Sequence, residues 1–362
     1  MGKHTLLAGC ALSALAMPAL ALETSVELDG HVGFSGSYYD DDAGDNTNLH
    51  NNASRIGLRA AASESGITGF VRYERGMDMY NPDSDFTPNS SDSLGQDFVR
   101  EFYAGIDTPY GRVTAGRFRA AYARAGKRVD PFYDTSIAGF SGNAGTYGGQ
   151  GANYGLSNLS NGFSDRVVEL TSANYGGLQF NGNVYVDRGE TNDHDYGLGV
   201  SYASELVRDQ PFEVSVQYLE ISNDAISGVP FNNDASVGGS PGESSSIRAS
   251  GVYDLGAISL GANYEFVDVD AESSARHYST ITATVPLDPR LNLAGAVSYL
   301  DFADDAPAID GLGASIGLFY ELLPGLNAYS AVRYIDYDDN PASDSTLAVA
   351  VGAGYSFDMI LR

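Results

Sequence analysis

The sequence predicts an all-β protein, and more narrowly a transmembrane up-and-down antiparallel β-barrel of sixteen strands. Three observations lead to this fold class. Bulky apolar residues alternate with small or polar ones, short turns alternate with long polar segments, and the N-terminus is typical of an exported protein. A sheet that is apolar on one face and polar on the other fits a wall between lipid and water. Such a sheet pairs all its backbone groups in lipid only when it closes into a barrel.

The alternation is clearest at residues 345–358. Bulky residues from Leu347 to Phe357 occupy every second position, and small or polar residues from Ala348 to Asp358 occupy the others. This period of two is that of a β-strand, because a helix cannot separate alternate residues onto two faces. The same pattern recurs clearly in four further segments, 178–186, 196–202, 212–218 and 258–266.

The connections between strands fall into two kinds. Short turns occur at 64–66, 108–111, 175–177, 254–256 and 323–325. Long segments rich in Asp, Asn, Ser and Gly occur at 40–53, 79–96, 118–164, 222–243 and 303–310. Short turns on one rim and long loops on the other are typical of an outer-membrane barrel, and sixteen strands leave an aqueous lumen. A soluble propeller or sandwich is the alternative, but it gives no reason for this sorting.

Residues 1–21 have the organisation of a signal peptide. A short positive region precedes an apolar run, and small residues two apart then end at Ala21. We therefore expect removal of 1–21 and a single barrel domain at 22–362. A lipobox at 7–10 is the competing interpretation, in which Cys10 would carry a lipid.

Composition excludes several other classes. Cys10 is the only cysteine, so a secreted domain held together by disulfides is excluded. No stretch reaches the roughly eighteen consecutive apolar residues of a transmembrane helix. The formal net charge of −27 disfavours nucleic acid as a partner. No Ser/His/Asp set and no metal-ligand motif is visible, so the sequence predicts no enzyme, no metal site and no cofactor.

Two motifs lie between residues 54 and 134. Residues 54–59 read Ser-Arg-Ile-Gly-Leu-Arg. A second motif flanks a short turn, with Arg, an aromatic residue, Gly and an aliphatic residue before it and Gly, Val, Gly and Arg after it. Its members are Arg100, Tyr103, Gly105, Ile106, Gly111, Val113, Gly116 and Arg117. Both motifs resemble the general diffusion porins of Gram-negative outer membranes, and the strand-and-turn pattern extends this resemblance over the mature chain.

The resemblance implies a function. The chain would lie in the cell outer membrane and form a water-filled channel for passive diffusion of ions and small hydrophilic solutes. It would be a homotrimer that contacts outer-membrane lipid and lipopolysaccharide. Two alternatives stay open: a channel specific for sugars or aromatic solutes, with Tyr147, Tyr154 and Phe163 as a stacking track, or a non-conducting barrel that serves as an adhesin or envelope-structural protein.

The resemblance also implies a constriction. In this family the third external loop folds into the lumen, where its acidic groups face basic groups on the wall. Residues 118–164 occupy the position of that loop, and 47 residues are long for a surface loop without structure of its own. We expect Asp130 and Asp134 to be the acidic groups of the loop.

Parity predicts which wall residues face the lumen. Of the 19 Lys and Arg residues after Ala21, 11 fall between Arg55 and Arg128. A charge that faces lipid near the membrane centre costs roughly 2–4 kcal/mol. The candidates that parity assigns to the lumen are Arg55, Arg59, Arg72, Arg100, Glu74 and His31. The same argument puts Tyr103 and Glu101 on the lipid face. A solvated wall without a role in selectivity is the alternative to this cluster.

The last strand raises a question of register. We expect it to close the barrel by pairing with residues 26–38. Family members usually end on an aromatic residue, whereas here Phe357 is followed by 358–362. Either the strand continues with Met359 and Leu361 on the lipid face, or a short tail follows Phe357.

Overall fold

The computed structural model describes most of the barrel wall and part of the segment at 118–164. The described residues are 23–41, 44–77, 99–137, 163–186, 195–204, 211–221, 244–269, 275–301, 310–338 and 345–361. The predicted signal peptide at 1–21 and the predicted loops at 79–96 and 222–243 lie outside them.

The described residues contain seventeen strands in one antiparallel sheet. The strands are β1 (Glu23–Asp41), β2 (Gly44–Asn51), β3 (Arg55–Glu64), β4 (Ile67–Gly76), β5 (Val99–Thr108), β6 (Gly111–Phe118), β7 (Ser164–Ser172), β8 (Leu178–Tyr185), β9 (Asp195–Ser204), β10 (Phe212–Ile221), β11 (Ser244–Asp254), β12 (Ser259–Val269), β13 (Arg276–Asp288), β14 (Leu291–Asp301), β15 (Asp310–Leu323), β16 (Leu326–Asp338) and β17 (Ser345–Leu361). A helix, α1 (Ala121–Lys127), follows β6. No helix in these residues has the length and apolar character needed to cross a membrane.

Two of these segments, β2 and β3, are parts of one wall strand. Both pair with β1 and are separated by residues 52–54, so seventeen segments make sixteen strands. β1 also pairs with β17, from Val26 opposite Leu361 to Asp41 opposite Thr346. This pairing closes the sheet. The predicted sixteen-stranded antiparallel barrel is therefore confirmed.

The prediction of a loop at 40–53 is wrong. Residues 44–51 form β2, which pairs with 34–41 of β1 as a hairpin. Its first four side chains are all exposed, so no apolar face marked it in the sequence. A hairpin with water on both sides needs no apolar face, because backbone hydrogen bonds to the neighbouring strand define it. The loop predicted at 303–310 also ends one residue early, since β15 begins at Asp310.

The faces of the strands follow the predicted parity in most of the barrel. Val351, Leu198 and Val214 are 63%, 55% and 47% exposed, whereas the alternate residues Ser215 and Gln217 are buried. The buried set includes the residues that contact α1, so it marks the lumen side. The short turns use left-handed backbone, as at 66, 256 and 325, where each residue is a glycine with φ near 80°.

The parity prediction is wrong for Tyr103 and Glu101. Phe102 and Ile106 are each 51% exposed and form the outer face of β5. Tyr103 is on the inner face, where its ring packs edge-on against Phe118, with 5.4 Å between ring centroids. Glu101 shares that inner face.

A β-bulge explains this error. Glu74 of β4 pairs with Glu101, but the next residue, Arg75, pairs with Val99. Arg100 is therefore an additional residue in β5, and it interrupts the alternation. Because of the bulge, Arg100 and Glu101 both face the lumen although they are adjacent in sequence.

The last strand runs through Phe357 without a break. Residues 358–361 pair with 26–29 of β1, and Met359 is 51% exposed. Of the two registers considered, the continuous strand is the one found.

Apolar packing inside the barrel occurs where α1 meets the wall. Tyr122 of the helix joins a buried cluster with Val167, Leu219, Val267 and Leu300, which are inward residues of four strands. A second cluster forms around the side chains that follow the helix. The folded interior is therefore a helix and its continuation packed against the lumen face.

Candidate functional site

The residues that follow β6, 119–137, run along the inside of the barrel. Near their start, the Ala121 N–H donates to Glu169 Oε2 of β7 at 2.9 Å. Near their end, the Ser136 N–H donates to the Tyr329 hydroxyl of β16 at 3.3 Å. Between these ends the segment contacts β10, β11, β12, β13 and β15. Its contacts thus extend across the lumen. We call residues 119–137 the inner segment.

The inner segment meets the predicted basic wall at Asp134. Arg55 Nη2 lies 2.9 Å from Asp134 Oδ2, and the two side chains are 19% and 17% exposed. His31 is the register partner of Arg55 on β1, and its Nδ1 hydrogen-bonds Ser356 Oγ at 2.8 Å. Three predicted site residues, Arg55, His31 and Asp134, are therefore brought together.

Arg72 lies at the centre of a second charged group on the wall. Its guanidinium donates to three carboxylates: Nη2 to Asp29 Oδ1 and to Glu74 Oε2, each at 2.8 Å, and Nε to Glu101 Oε2 at 2.9 Å. Arg100 Nε donates to the other oxygen of Glu74 at 2.8 Å. Two guanidinium groups thus share three carboxylates, and this group is held by charge-assisted hydrogen bonds.

Two predicted site residues do not join these groups. Arg59 is 3.8 Å from Glu27 and about a third exposed, a geometry that contributes little. Asp130 Oδ1 accepts the Phe132 N–H at 2.8 Å, so its carboxylate shapes the turn after α1.

Two cations of the inner segment were missed by the sequence argument. Arg119 and Lys127 both lie over the ring of Tyr133, with 5.6 Å from Arg119 Cζ and 3.8 Å from Lys127 Nζ to the ring centroid. Arg119 Cζ is also 4.2 Å from the centroid of Phe163. No carboxylate in the described ranges forms an ion pair with either cation.

The Phe163 ring is surrounded by guanidinium groups. Arg100 and Arg119 lie 4.7 and 4.2 Å from its centroid, and Arg117 lies 5.9 Å away. The ring is 9% exposed. Phe163 thus serves as a face for cations. The other two residues of the predicted stacking track, Tyr147 and Tyr154, lie outside the described residues.

Burial changes the acid–base behaviour of the inner segment. Desolvation, together with the nearby charge of Arg119, lowers the pKa of Lys127 to about 8. Burial raises the pKa of Tyr133, the ring that both cations contact. Lys127 is therefore a cation whose charge titrates close to physiological pH.

A cavity of about 800 Å³ lies between α1 and strands β5 to β8, and Arg119 and Lys127 line it together with Glu101 and Glu169. A smaller cavity of about 290 Å³ lies between α1 and strands β7 to β11. The described residues contain no group of three or more side chains that could hold a metal ion. The arrangement can filter solutes by charge and size along a water-filled path.

One signal in the sequence could have found the missed cations. Five Lys and Arg residues fall within twelve positions, at 117, 119, 124, 127 and 128. The resemblance directed attention to acids of this loop, but its described part carries four cations at 119, 124, 127 and 128 and two acids at 130 and 134.

A closed sixteen-stranded barrel with an apolar outer face and a charged lumen is the architecture of an outer-membrane channel. A family model for Gram-negative porins matches residues 7–340, and the chain belongs to that family. It is therefore a multi-pass protein of the outer membrane that forms a channel for passive diffusion of small solutes.

Solved structures with the same fold share little sequence with this chain. An anion-selective porin from Comamonas acidovorans is 16% identical with a TM-score of 0.69, and the match covers 92% of this chain and 100% of that one. OmpT from the outer membrane of Vibrio cholerae is 14% identical with a TM-score of 0.63, covering 94% and 99%. OmpF of Salmonella typhi in complex with daunomycin is 14% identical with a TM-score of 0.60, covering 92% and 97%. No curated protein sequence matches the chain.

Proposed function

We propose that the channel prefers anions, and that the inner segment is its constriction. The observation that carries this proposal is the pair of cations, Arg119 and Lys127, that line the larger cavity without an ion-pair partner among the described residues. Arg55 faces one carboxylate, and Arg72 and Arg100 share three, so the predicted wall arginines are already compensated.

The net charge of −27 does not argue against this preference. At physiological salt, charges separated by more than about 8 Å of water are largely screened. A permeating ion is therefore governed by the groups nearest to it at the narrowest part of the path. Opposed or unpaired charges at such a constriction are how pores sort ions.

Planar-bilayer recordings test the proposal. We expect wild-type channels in a KCl gradient to give a reversal potential of the sign for Cl⁻ preference. The double variant Arg119→Gln, Lys127→Gln should lower the Cl⁻/K⁺ permeability ratio severalfold. Arg290→Gln, in an exposed turn between β13 and β14, is the matched control and should leave the ratio unchanged. Cation preference in the wild type would contradict the proposal. An equal change of the permeability ratio in the double variant and in the Arg290→Gln control would contradict it too.

We further propose that the mature protein is 22–362, with 118–164 as its constriction loop, and that it is a homotrimer in contact with lipid and lipopolysaccharide. We also propose that it is a channel and not an enzyme. A trimeric form of OmpT has the same fold, and the apolar outer face provides a surface for lipid or neighbouring subunits. Native mass measurement on protein extracted from outer membranes should give three copies of a chain that starts near Leu22. A monomer, or a chain that retains 1–21, would contradict this.

A further inference from the structure

A buried ion pair on the far wall contacts the helix of the inner segment. Arg248 of β11 and Glu265 of β12 are register partners, and Arg248 Nη2 lies 2.7 Å from Glu265 Oε1. Both side chains are 0% exposed. Complete burial is unusual for charges on the wall of an aqueous lumen, because water would otherwise solvate them.

Tyr122 of α1 contacts this pair with three of its groups. Its hydroxyl donates to Glu265 Oε1 at 2.6 Å, and its backbone carbonyl accepts from Arg248 Nη1 at 2.7 Å. Its ring centroid lies 4.1 Å from Arg248 Cζ. The hydroxyl thus contacts Glu265, while the carbonyl and the ring face contact Arg248. One residue of the helix binds both charged side chains of the wall.

The other ion pairs near the helix involve exposed arginines. Arg124 pairs with Glu169, and Arg128, just after the helix, pairs with Glu213; the two arginines are 47% and 56% exposed, whereas Glu169 is 4% exposed and also accepts the Ala121 N–H. Water competes for the exposed arginine in each of these pairs, which reduces its contribution. Removal of one partner from a fully buried, hydrogen-bonded pair has a larger effect, since it leaves an uncompensated charge.

We propose that Arg248 and Glu265 are positioning residues that hold α1 against β11 and β12 through Tyr122. This inference rests on the proposed function in one respect, namely that the inner segment is the constriction. The pair touches no permeating solute, because it is covered by the helix. Its role is to position the cations of the inner segment in the lumen.

The test measures the mobility of α1 directly. Ala123 of the helix is 4% exposed, so Ala123→Cys in a Cys10→Ser background places a single thiol at a buried position. A hydrophilic thiol reagent modifies it at a rate set by how often the helix leaves the wall. Tyr122→Phe, which removes the hydroxyl and retains the ring, should raise that rate about tenfold, the expected effect of one hydrogen bond to a charged group.

A double-mutant cycle tests whether Tyr122 and Glu265 act together. Tyr122→Phe removes the hydrogen bond and Glu265→Gln removes the charge that strengthens it, so the double variant should react more slowly than the product of the two single effects predicts. Asp107→Asn is the matched control: Asp107 pairs with Arg112 across β5 and β6 without a contact to α1, so its loss should leave the rate unchanged. Folding of Glu265→Gln is judged by heat-modifiable gel mobility. If this variant does not fold, the modification rate in Tyr122→Phe tests the inference by itself.

Two outcomes would overturn the inference: an unchanged rate in Tyr122→Phe, or effects of the two replacements that multiply in the double variant. Current recordings separate this result from the proposed function. If the rate rises and single-channel current noise rises with it, both proposals are supported. If the rate rises while conductance and noise stay as in the wild type, the positioning role of Arg248 and Glu265 is supported, and the inner segment is not the constriction.

Discussion

At the scale of single residues, the charge of the lumen depends on which cations have a carboxylate beside them. Arg72 has three carboxylate partners and Arg55 has one. Arg119 and Lys127 face aromatic rings and the larger cavity instead. Under the proposed function, a permeating anion interacts most strongly with these two cations, which form no ion pair within the described residues.

Lys127 should make the anion preference depend on pH. With a pKa lowered to about 8, the amine is protonated below that pH and loses its charge above it. The Cl⁻/K⁺ permeability ratio should fall as pH rises from about 7 to about 9, because one cation per pore is lost. Reversal potentials at a series of pH values measure this.

Two variants at this position control the pH experiment. Lys127→Met should give a low ratio without the step near pH 8, and Lys127→Arg should keep a high ratio throughout, since arginine does not titrate there. A step of the same size in Lys127→Met would show that another group titrates.

Asp134 and Asp130 should differ in their effect on selectivity. Asp134→Asn leaves Arg55 without its 2.9 Å partner and should raise the anion preference. Asp130→Asn should change it less, because that side chain accepts the Phe132 N–H and the Arg55 pair stays intact. Reversal potentials of the two single variants test this, and a larger shift in Asp130→Asn would argue against the assignment.

At the scale of elements, the bulge in β5 determines the composition of the charged wall. Without the bulge, Arg100 and Glu101 would lie on opposite faces of β5, and one of the two charges would face lipid at a cost of about 2–4 kcal/mol. With the bulge, Glu101 reaches Arg72 and Arg100 reaches Glu74. Bulges that re-aim side chains are common next to functional sites.

Cysteine scanning can measure which face each residue of β5 occupies. In a Cys10→Ser background, Tyr103→Cys should react with a hydrophilic thiol reagent that enters the lumen. Phe102→Cys should resist that reagent and react with a probe that partitions into lipid, because Phe102 is 51% exposed on the outer face. Regular alternation counted from a lumen-facing Arg100 predicts the reverse, so the reverse result would contradict the faces assigned to β5.

At the scale of the whole molecule, the barrel depends on its closing pair. β1 and β17 are paired along sixteen residues each, from 26 to 41 and from 346 to 361. Backbone groups left unpaired in lipid cost several kcal/mol each, so the two strands must match over their full membrane-spanning length.

Removal of residues 358–362 tests the closing pair. The truncation ends the chain on Phe357 and leaves 26–29 of β1 without their β17 partners. We expect a lower temperature for the shift from folded to unfolded gel mobility, because hydrogen bonds at the seam are lost. A chain that stays as heat-resistant as the full-length protein would mean that the last strand functionally ends at Phe357.

Strand alternation was enough to predict the barrel from sequence, because it is a local property: Val349 and Val351, two residues apart, lie on the same face of the strand wherever that strand lies in the fold. It also placed Arg55, Arg72 and Glu74 in the lumen, since parity is all that such an assignment needs. The assignment of faces failed at Glu101, because the additional residue Arg100 shifts the alternation of the strand by one position.

The pairing of charges, in contrast, depends on the folded barrel. Asp134 and Arg55 are 79 residues apart, and Tyr122 and Glu265 are 143 residues apart. Such pairs depend on the path that the inner segment takes across the lumen, and that path depends on packing against several strands at once. No periodicity in the chain encodes those distances, so the partners of Arg72, the exposure of Lys127 and the buried pair beneath α1 emerged from the folded barrel.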